Sequence, residues 1–485
     1  MQKQHVLPLI IIAFLTIIAL ASLSVFPIFA DEAIYLFWAR KILLGMANPF
    51  ISLYDGKPPL FMWLSAISFL DFHNLLLAGR TVSVLSFTLS LLIVYFGINK
   101  LNRRWALFSL PLIALSPFVF FHIRLAILDS LFSLFLLASV FSWTEIKLKY
   151  KGLVTGIMIG LAFWTKTPAL FMLPFPWIAA YFERENRIKL FKQALISSVV
   201  ALAIIALLRF SIWFPFLFNR ASDFSYSPID ILHGHISQIT SNFLSLLTWL
   251  IQYRFWPIIL TSLIGIFIGI KKQNRLIINL FIALICFIVP FLVLGKLLTP
   301  RYYLLVGFIL PILASYAISQ LKIKFAMILT AIIVLTFIPF VYTLISSPLE
   351  IQLPLTDQRQ YLHDWSSGIG INQAADFFIQ QAQEGKIKVL SEGYFGTLPD
   401  GLFVVLGDRI NHLPIEIVGV GDNSSATYDR ELAKATTDNI YYIGNHDRIN
   451  LINRPEFELI LSYPKVDDGP ALEVYRINKW EQEKN

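Results

Sequence analysis

The chain has 485 residues, of which 56% are apolar and 14% charged, where soluble domains carry about 25% charged residues. Mean hydropathy is +0.67. With 42 Phe and a single cysteine, Cys286, the composition excludes an ordinary soluble multidomain protein, a disordered chain and a disulfide-stapled scaffold. Charge is unevenly placed: residues 1–345 hold 27 Lys and Arg against 10 Asp and Glu, and residues 346–485 hold 12 against 21. The bases lie between apolar runs rather than on one arm or face. They read as loop charge that orients a membrane protein, not as a nucleic-acid surface.

A helix rises about 1.5 Å per residue, so roughly 20 apolar residues cross the hydrocarbon core. Eleven spans are expected, near 7–29, 79–98, 105–122, 128–143, 152–165, 167–181, 193–208, 255–270, 277–295, 303–320 and 325–345. The first run is too long for a signal peptide, and Asp31-Glu32 follow where a small-residue cleavage site would stand. The segments 99–104, 145–151, 183–192, 271–275 and 322–324 hold 3, 3, 4, 3 and 2 Lys and Arg, and each follows an even-numbered span. The positive-inside rule puts them and the N-terminus in the cytoplasm, and the region from 346 outside.

That region has ordinary polarity. A helical stretch at 372–383, strand-like runs at 388–390, 415–420 and 440–443, and an alternating run at 471–477 predict a small α/β domain. The expected fold is an all-α polytopic membrane domain over 1–345, with a first outer loop at 30–78, followed by an extracytoplasmic α/β domain over 346–485.

In this topology Asp31, Glu32, Asp55, Asp71, Asp129, Asp223 and Asp230 all fall on the outer side, with Asp31 and Asp129 at span boundaries. A charge at bilayer depth costs about 2.5–3.5 kcal/mol on insertion scales, so it faces a cavity or a partner. At a boundary it can also snorkel to the interface. The clustering of acids on one face favours the cavity. The loop from Asp31 holds Tyr35, Trp38, Arg40-Lys41, a break at 45–49, Tyr54-Asp55-Gly56-Lys57-Pro58-Pro59 and the apolar run 60–70. That run is too short to span, and a proline near its first turn suits a helix lying along the surface. A second outer loop holds His122, Arg124 and Asp129. Acids and bases gathered at a membrane face suit a reaction on a lipid-linked phosphate. Cations hold the phosphate, and a carboxylate takes a proton from an attacking hydroxyl.

These residues also carry a resemblance. Asp31-Glu32-x-x-Tyr35-x-x-x-x-Arg40, Gly56-Lys57-Pro58-Pro59-Leu60, Arg80, Arg124-x-x-x-x-Asp129 and Gly160-x-x-x-x-Thr165-Lys166 occur in one order. In that order they resemble the GT-C class of integral membrane glycosyltransferases, in particular the protein O-mannosyltransferases and the lipid A aminoarabinose transferases. The similarity covers residues 1–185 and, more loosely, Thr299-Pro300-Arg301-Tyr302. It implies an inverting, single-displacement transfer of a sugar from a polyprenyl-phosphate donor to a protein hydroxyl, a lipid or a surface glycan.

By this resemblance Asp31 positions and deprotonates the acceptor, Asp129 is the second-loop acid, and Lys57 contacts the donor phosphate. Glu32, Tyr35, Arg40 and Lys166 shape the cavity, with Lys166 a further phosphate candidate. Arg124 and His122 join the cavity set. Aminoarabinose transferases carry an Arg soon after a His in a later outer loop, and here that loop reads His233-Gly234-His235-Ile236-Ser237-Gln238. The second phosphate ligand is then one of Arg220, Arg254, Lys296 or Arg301, with Arg301 favoured. No cofactor is required. A divalent metal is the one option, with His233 and His235 as candidate ligands short of a third.

Cys286 reads as a packing residue. A lipid or lipid-linked-sugar flippase is the alternative function. It would call for midplane charges and internal symmetry, neither of which the sequence displays.

Overall fold

The computed structural model describes residues 5–70, 72, 74–183, 186–232, 234, 236–421, 425–449 and 455–478. The chain forms two compact units. The first comprises Met1–Leu23, Ala47–Leu64 and Arg80–Pro354, and the second Ser24–Met46, Ser65–Gly79 and Leu355–Asn485. Parts of the first expected outer loop therefore group with the C-terminal region.

The first unit is all helix in its regular structure, and the chain is a multi-pass membrane protein. Among the described residues six helices are long and apolar enough to span: Leu75–Asn99, Leu128–Glu145, Arg187–Phe210, Arg275–Leu294, Pro300–Ser319 and Ile323–Ser346. The pair Ser237–Gln252 and Trp256–Lys271, bent by 114°, makes a seventh if taken as one broken span. Each of the eleven expected runs contains helix, but several are short or interrupted. The first helix is Val6–Leu20, of 15 residues. The run 105–122 splits into Arg103–Ala114 and Pro117–His122. The run 167–181 is a 3-10 turn, Thr167–Met172, followed by the helix Phe175–Phe182. Pro117, Pro174 and Pro176 mark the breaks, since proline lacks an N–H and pushes its predecessor out of the helical region.

Hydrocarbon gives helices no hydrophobic reason to associate, so close backbone approach and interhelical hydrogen bonds hold them together. Gly152, Gly156 and Gly160 lie on one face of Leu148–Thr165, against Gln193, Ser197 and Ile204 of Arg187–Ala206. A methyl group at Gly156 would collide with the Ser197 carbonyl. The helix Leu304–Ser319 is buried along its whole length. Trp105 Nε1 donates to its Ile312 carbonyl at 2.8 Å, and Ser109 Oγ meets Ser315 Oγ at 2.7 Å. Phe14, Ile17, Val199, Phe267 and Leu335 point outward, as a lipid-facing surface requires.

The second unit contains a five-stranded sheet: β1 Ile387–Ser391, β2 Ile415–Gly419, β3 Ile440–Asn445, β4 Phe457–Tyr463 and β5 Leu472–Ile477. The spatial order is β2-β1-β3-β5-β4. β1 pairs in parallel with β2 and β3, whereas β5 runs antiparallel between β3 and β4. The strands β1 and β3 are buried along their whole length, and the one charge within them, Lys388, is paired with Glu416 and Glu431.

The helix Ala30–Leu43 belongs to this unit. Its first amide, at Ala30, donates to Ser366 O at 3.0 Å, and Gly368 N–H donates to Ile28 O at 2.8 Å. Phe37 stacks on Phe403 of the helix Asp400–Leu406 at 4.6 Å between ring centroids.

Candidate active site

In the first unit the charged residues converge on the ends of two helices. Asp129 is the second residue of Leu128–Glu145, where the helix dipole favours a carboxylate. Lys166 caps Leu148–Thr165 in extended conformation, just before Pro168. Lys166 Nζ donates to Asp129 Oδ1 at 2.6 Å, and the two side chains are 17% and 5% exposed. The same ammonium lies 4.1 Å from the centroid of the Tyr302 ring, and the Arg301 guanidinium lies 5.6 Å from that ring. Arg301 and Lys57 both sit near enough to Lys166 to oppose its charge. Lys57 in turn lies over Phe224 at 5.1 Å. Asp129 thus pairs with one cation, and two more lie within electrostatic range of that lysine, an arrangement suited to a phosphate oxyanion.

The other candidate phosphate ligands are engaged elsewhere. Arg220 is held by Asp55 at 2.6 Å and Asp223 at 3.0 Å. Lys296 donates to Ser222 O, and Arg254 to Thr336 O. Arg301 is the member of that set beside Lys166. His122 and Arg124 are buried, and each is hydrogen-bonded to a backbone carbonyl. His122 Nδ1 pairs with Phe118 O at 2.7 Å inside a ring cluster with Phe121 and Tyr253. Arg124 donates to Ala19 O at 3.0 Å. Arg80 donates to Leu23 O. Arg124 and Arg80 thereby tie down the end of the first helix and the turn after it, where orphan carbonyls need donors.

The second unit holds the remaining candidates on Ala30–Leu43. Asp31 is the second residue of that helix and is partly exposed. Glu32 is fully buried, and its Oε2 accepts the Phe29 amide at 3.0 Å, so it acts as a helix-start acceptor. Tyr35 is buried with its ring 6.1 Å from Trp38. Arg40 is buried and approaches Asp408 at 3.8 Å.

Of the rings against which the cations rest, Tyr302 belongs to the stretch that carries the looser resemblance, and Phe224 has no signal in the sequence. Asp71, His233 and His235 lie outside the described residues. Among the described residues no group of three or more His, Cys, Asp or Glu is arranged to hold a metal ion.

Residues 56–213 match the family model described as dolichyl-phosphate-mannose-protein mannosyltransferase. The segment includes Lys57, Asp129 and Lys166. Among curated proteins no sequence matches. Two solved structures share the fold across nearly the whole chain, both of ArnT from Cupriavidus metallidurans. The one bound to undecaprenyl phosphate has a TM-score of 0.61 and 14% identity, covering 97% of this chain and 98% of that one. The apo form has a TM-score of 0.63 and 14% identity, covering 96% and 97%. The chain thus resembles the GT-C group of membrane glycosyltransferases in a sequence segment and in fold.

Proposed function

We propose that this chain is a GT-C-type glycosyltransferase that moves a sugar from a polyprenyl-phosphate donor to an acceptor on the extracytoplasmic face, inverting the anomeric centre in one displacement. The observation that carries the reading is the Asp129–Lys166 pair with Arg301 and Lys57 in electrostatic range. The matched family model and the ArnT fold support it.

In this reading Lys57, Lys166 and Arg301 hold the donor phosphate and stabilise it as it departs. Phosphate leaves as an anion, so no strong general acid is needed. Asp129 holds Lys166 in place. Asp31 takes the proton from the acceptor hydroxyl, and Glu32, Tyr35 and Arg40 shape the acceptor side. The cations carry the leaving-group charge, so the reaction needs no metal. The N-terminus is cytoplasmic and the sheet-bearing domain faces outward, as the lysine and arginine count of the loops supports.

The test is transfer of labelled sugar from a polyprenyl phosphate by purified protein, with and without a chelator. Product formation that survives the chelator and falls at least a hundredfold in Asp31→Asn supports the reading. Undiminished turnover in that variant removes the assigned base. The bent helix pair at 253–255 keeps a flippase as the second reading. Lipid movement across liposomes without any glycosyl product would favour it.

A further inference from the structure

The second unit carries a group of residues for which the transfer chemistry has no use. β1 leads by way of Asp400–Leu406 to β2 on one side, whereas β3 lies on the other side of β1 and its continuation runs to β4 and β5. The carboxyl ends of β1 and β3 are therefore a topological switch point, the position at which open α/β sheets take their ligands.

Polar groups concentrate there. Glu392, directly after β1, is 2% exposed and accepts Asn445 N–H at 2.8 Å and Asn445 Nδ2 at 2.5 Å. Lys465 Nζ donates to Asn445 Oδ1 at 2.5 Å and to Asp364 O at 2.8 Å. Arg448 approaches Glu392 at 3.6 Å and lies over the Trp365 ring at 4.6 Å. The hydroxyls of Ser391 and Thr397, both buried, have no hydrogen-bond partner among the described residues.

Three aromatic side chains border this network and remain open to solvent: Trp365, Tyr394 and Phe395, at 42%, 63% and 60% exposure. A side chain at Gly396 would meet Trp365, and one at Gly421 would run into the Tyr394 ring. A folded domain seldom leaves three large rings exposed beside a buried charge network without a use for them.

We propose that the carboxyl end of the β1–β3 pair is a saccharide-binding site that takes neutral sugar rings. The C–H face of a pyranose stacks on exposed aromatic rings. Its hydroxyls both donate and accept, matching the partly exposed Arg448 guanidinium, held in place by the Glu392–Asn445 pair, and the two unpaired hydroxyls.

A nucleotide or free phosphate fits less well. The loop after β1 has glycines at 393 and 396 with φ of +70° and +114°, as a phosphate loop can. The Gly396 amide, however, already donates to Asp400 Oδ2 at 3.0 Å. That carboxylate stands at the start of the helix Asp400–Leu406, where a phosphate would sit, and Glu392 adds a second acid. Arg448 approaches Glu392, and Lys465 lies within electrostatic range of Glu392, Asp447 and Asp364, so no surplus positive charge awaits an anion. The proposal stands on the second unit alone and does not rest on the transferase reading.

The test uses the full chain in nanodiscs, since sugar-headed detergents would compete. Saturation-transfer NMR with mannotriose, cellotriose and chitotriose, in the absence of any lipid donor, is expected to show binding of at least one. Trp365→Ala and Tyr394→Ala are each expected to weaken it tenfold or more, and Glu392→Gln likewise. Trp365→Phe retains it and controls for folding. Inorganic phosphate is expected not to displace the sugar.

Four results would overturn the proposal. None of the three sugars binds, or binding is unchanged in both aromatic variants. Phosphate competes. Bromine-labelled lipid quenches fluorescence that disappears in Trp365→Phe, which would make the rings a membrane contact.

Discussion

The Asp129–Lys166 pair permits a test that separates its structural weight from its chemical one. Removing one partner of a buried ion pair costs about 3–5 kcal/mol, because the other charge stays buried without compensation. Lys166 keeps 17% exposure and Asp129 5%, so solvent still screens the lysine and the lower end of that range applies, about 3 kcal/mol. Asp129→Asn and Lys166→Gln are each expected to destabilise by that amount, and the double variant, which leaves no charge uncompensated, to regain about 2 kcal/mol relative to either single variant. Stability is read as heat-induced loss of the monodisperse protein on size exclusion, and chemistry as sugar transfer from the lipid donor. If Lys166 stabilises departing phosphate, each single variant and the double lose about 10²–10³ in turnover. The double variant then regains stability without regaining activity. Turnover that returns with stability in the double variant would refute the chemical role of Lys166. Single variants as stable as the native chain would refute the energetic weight assigned to the pair.

Other predictions follow from single contacts. Lys57→Ala is expected to lower kcat/KM for the lipid donor at least tenfold with no change in stability, measured by transfer kinetics alongside size exclusion. Gly156→Leu pushes apart the helices Leu148–Thr165 and Arg187–Ala206 and is expected to cost about 3 kcal/mol or more, seen as loss of monodisperse protein at lower temperature. Burial raises the Asp400 carboxyl from its usual value of 3.8 to about 6, so the folded chain binds that proton more tightly than the unfolded one. Stability from this group falls as pH rises from about 4 to about 6 and is flat above. Asp400→Asn keeps an acceptor for the Gly396 amide and is expected to raise the melting temperature at pH 7.5 but not at pH 4. A lower melting temperature at pH 7.5 would contradict the assigned burial cost.

What the sequence discloses tracks what each residue signals locally. The long apolar runs read directly as helices, because hydrocarbon leaves little choice of backbone structure. Their interruptions at Pro117, Pro174 and Pro176 were visible as prolines but not as ends of spans. The helix Ile236–Gln252 escaped because Ser237, Thr240, Ser241, Ser245 and Thr248 dilute its hydropathy. In the sheet, β1, β2, β3 and β5 were legible from apolar runs or alternation. β4 was not, since it is an edge strand with a register shift between Leu459 and Leu461 and mostly exposed residues. At the site, Lys57, Asp129, Lys166 and Arg301 were each legible as candidates from loop placement and resemblance, whereas the direct Asp129–Lys166 pairing was not. That Glu32 serves its own helix, and that His122 and Arg124 bind backbone carbonyls, depends on contacts no spacing reveals.

The helix that bears Asp31 has a consequence for biosynthesis. Its opening amide is satisfied by Ser366, and the residue before the preceding Phe, Ile28, by Gly368. Some 330 residues must therefore leave the ribosome before the segment made near the start finds its partners. Until then a nascent chain would display the Asp31 region unassembled, so acquisition of activity is expected to coincide with completion of translation, and chains truncated at residue 354 are expected to insert into the membrane yet remain inert.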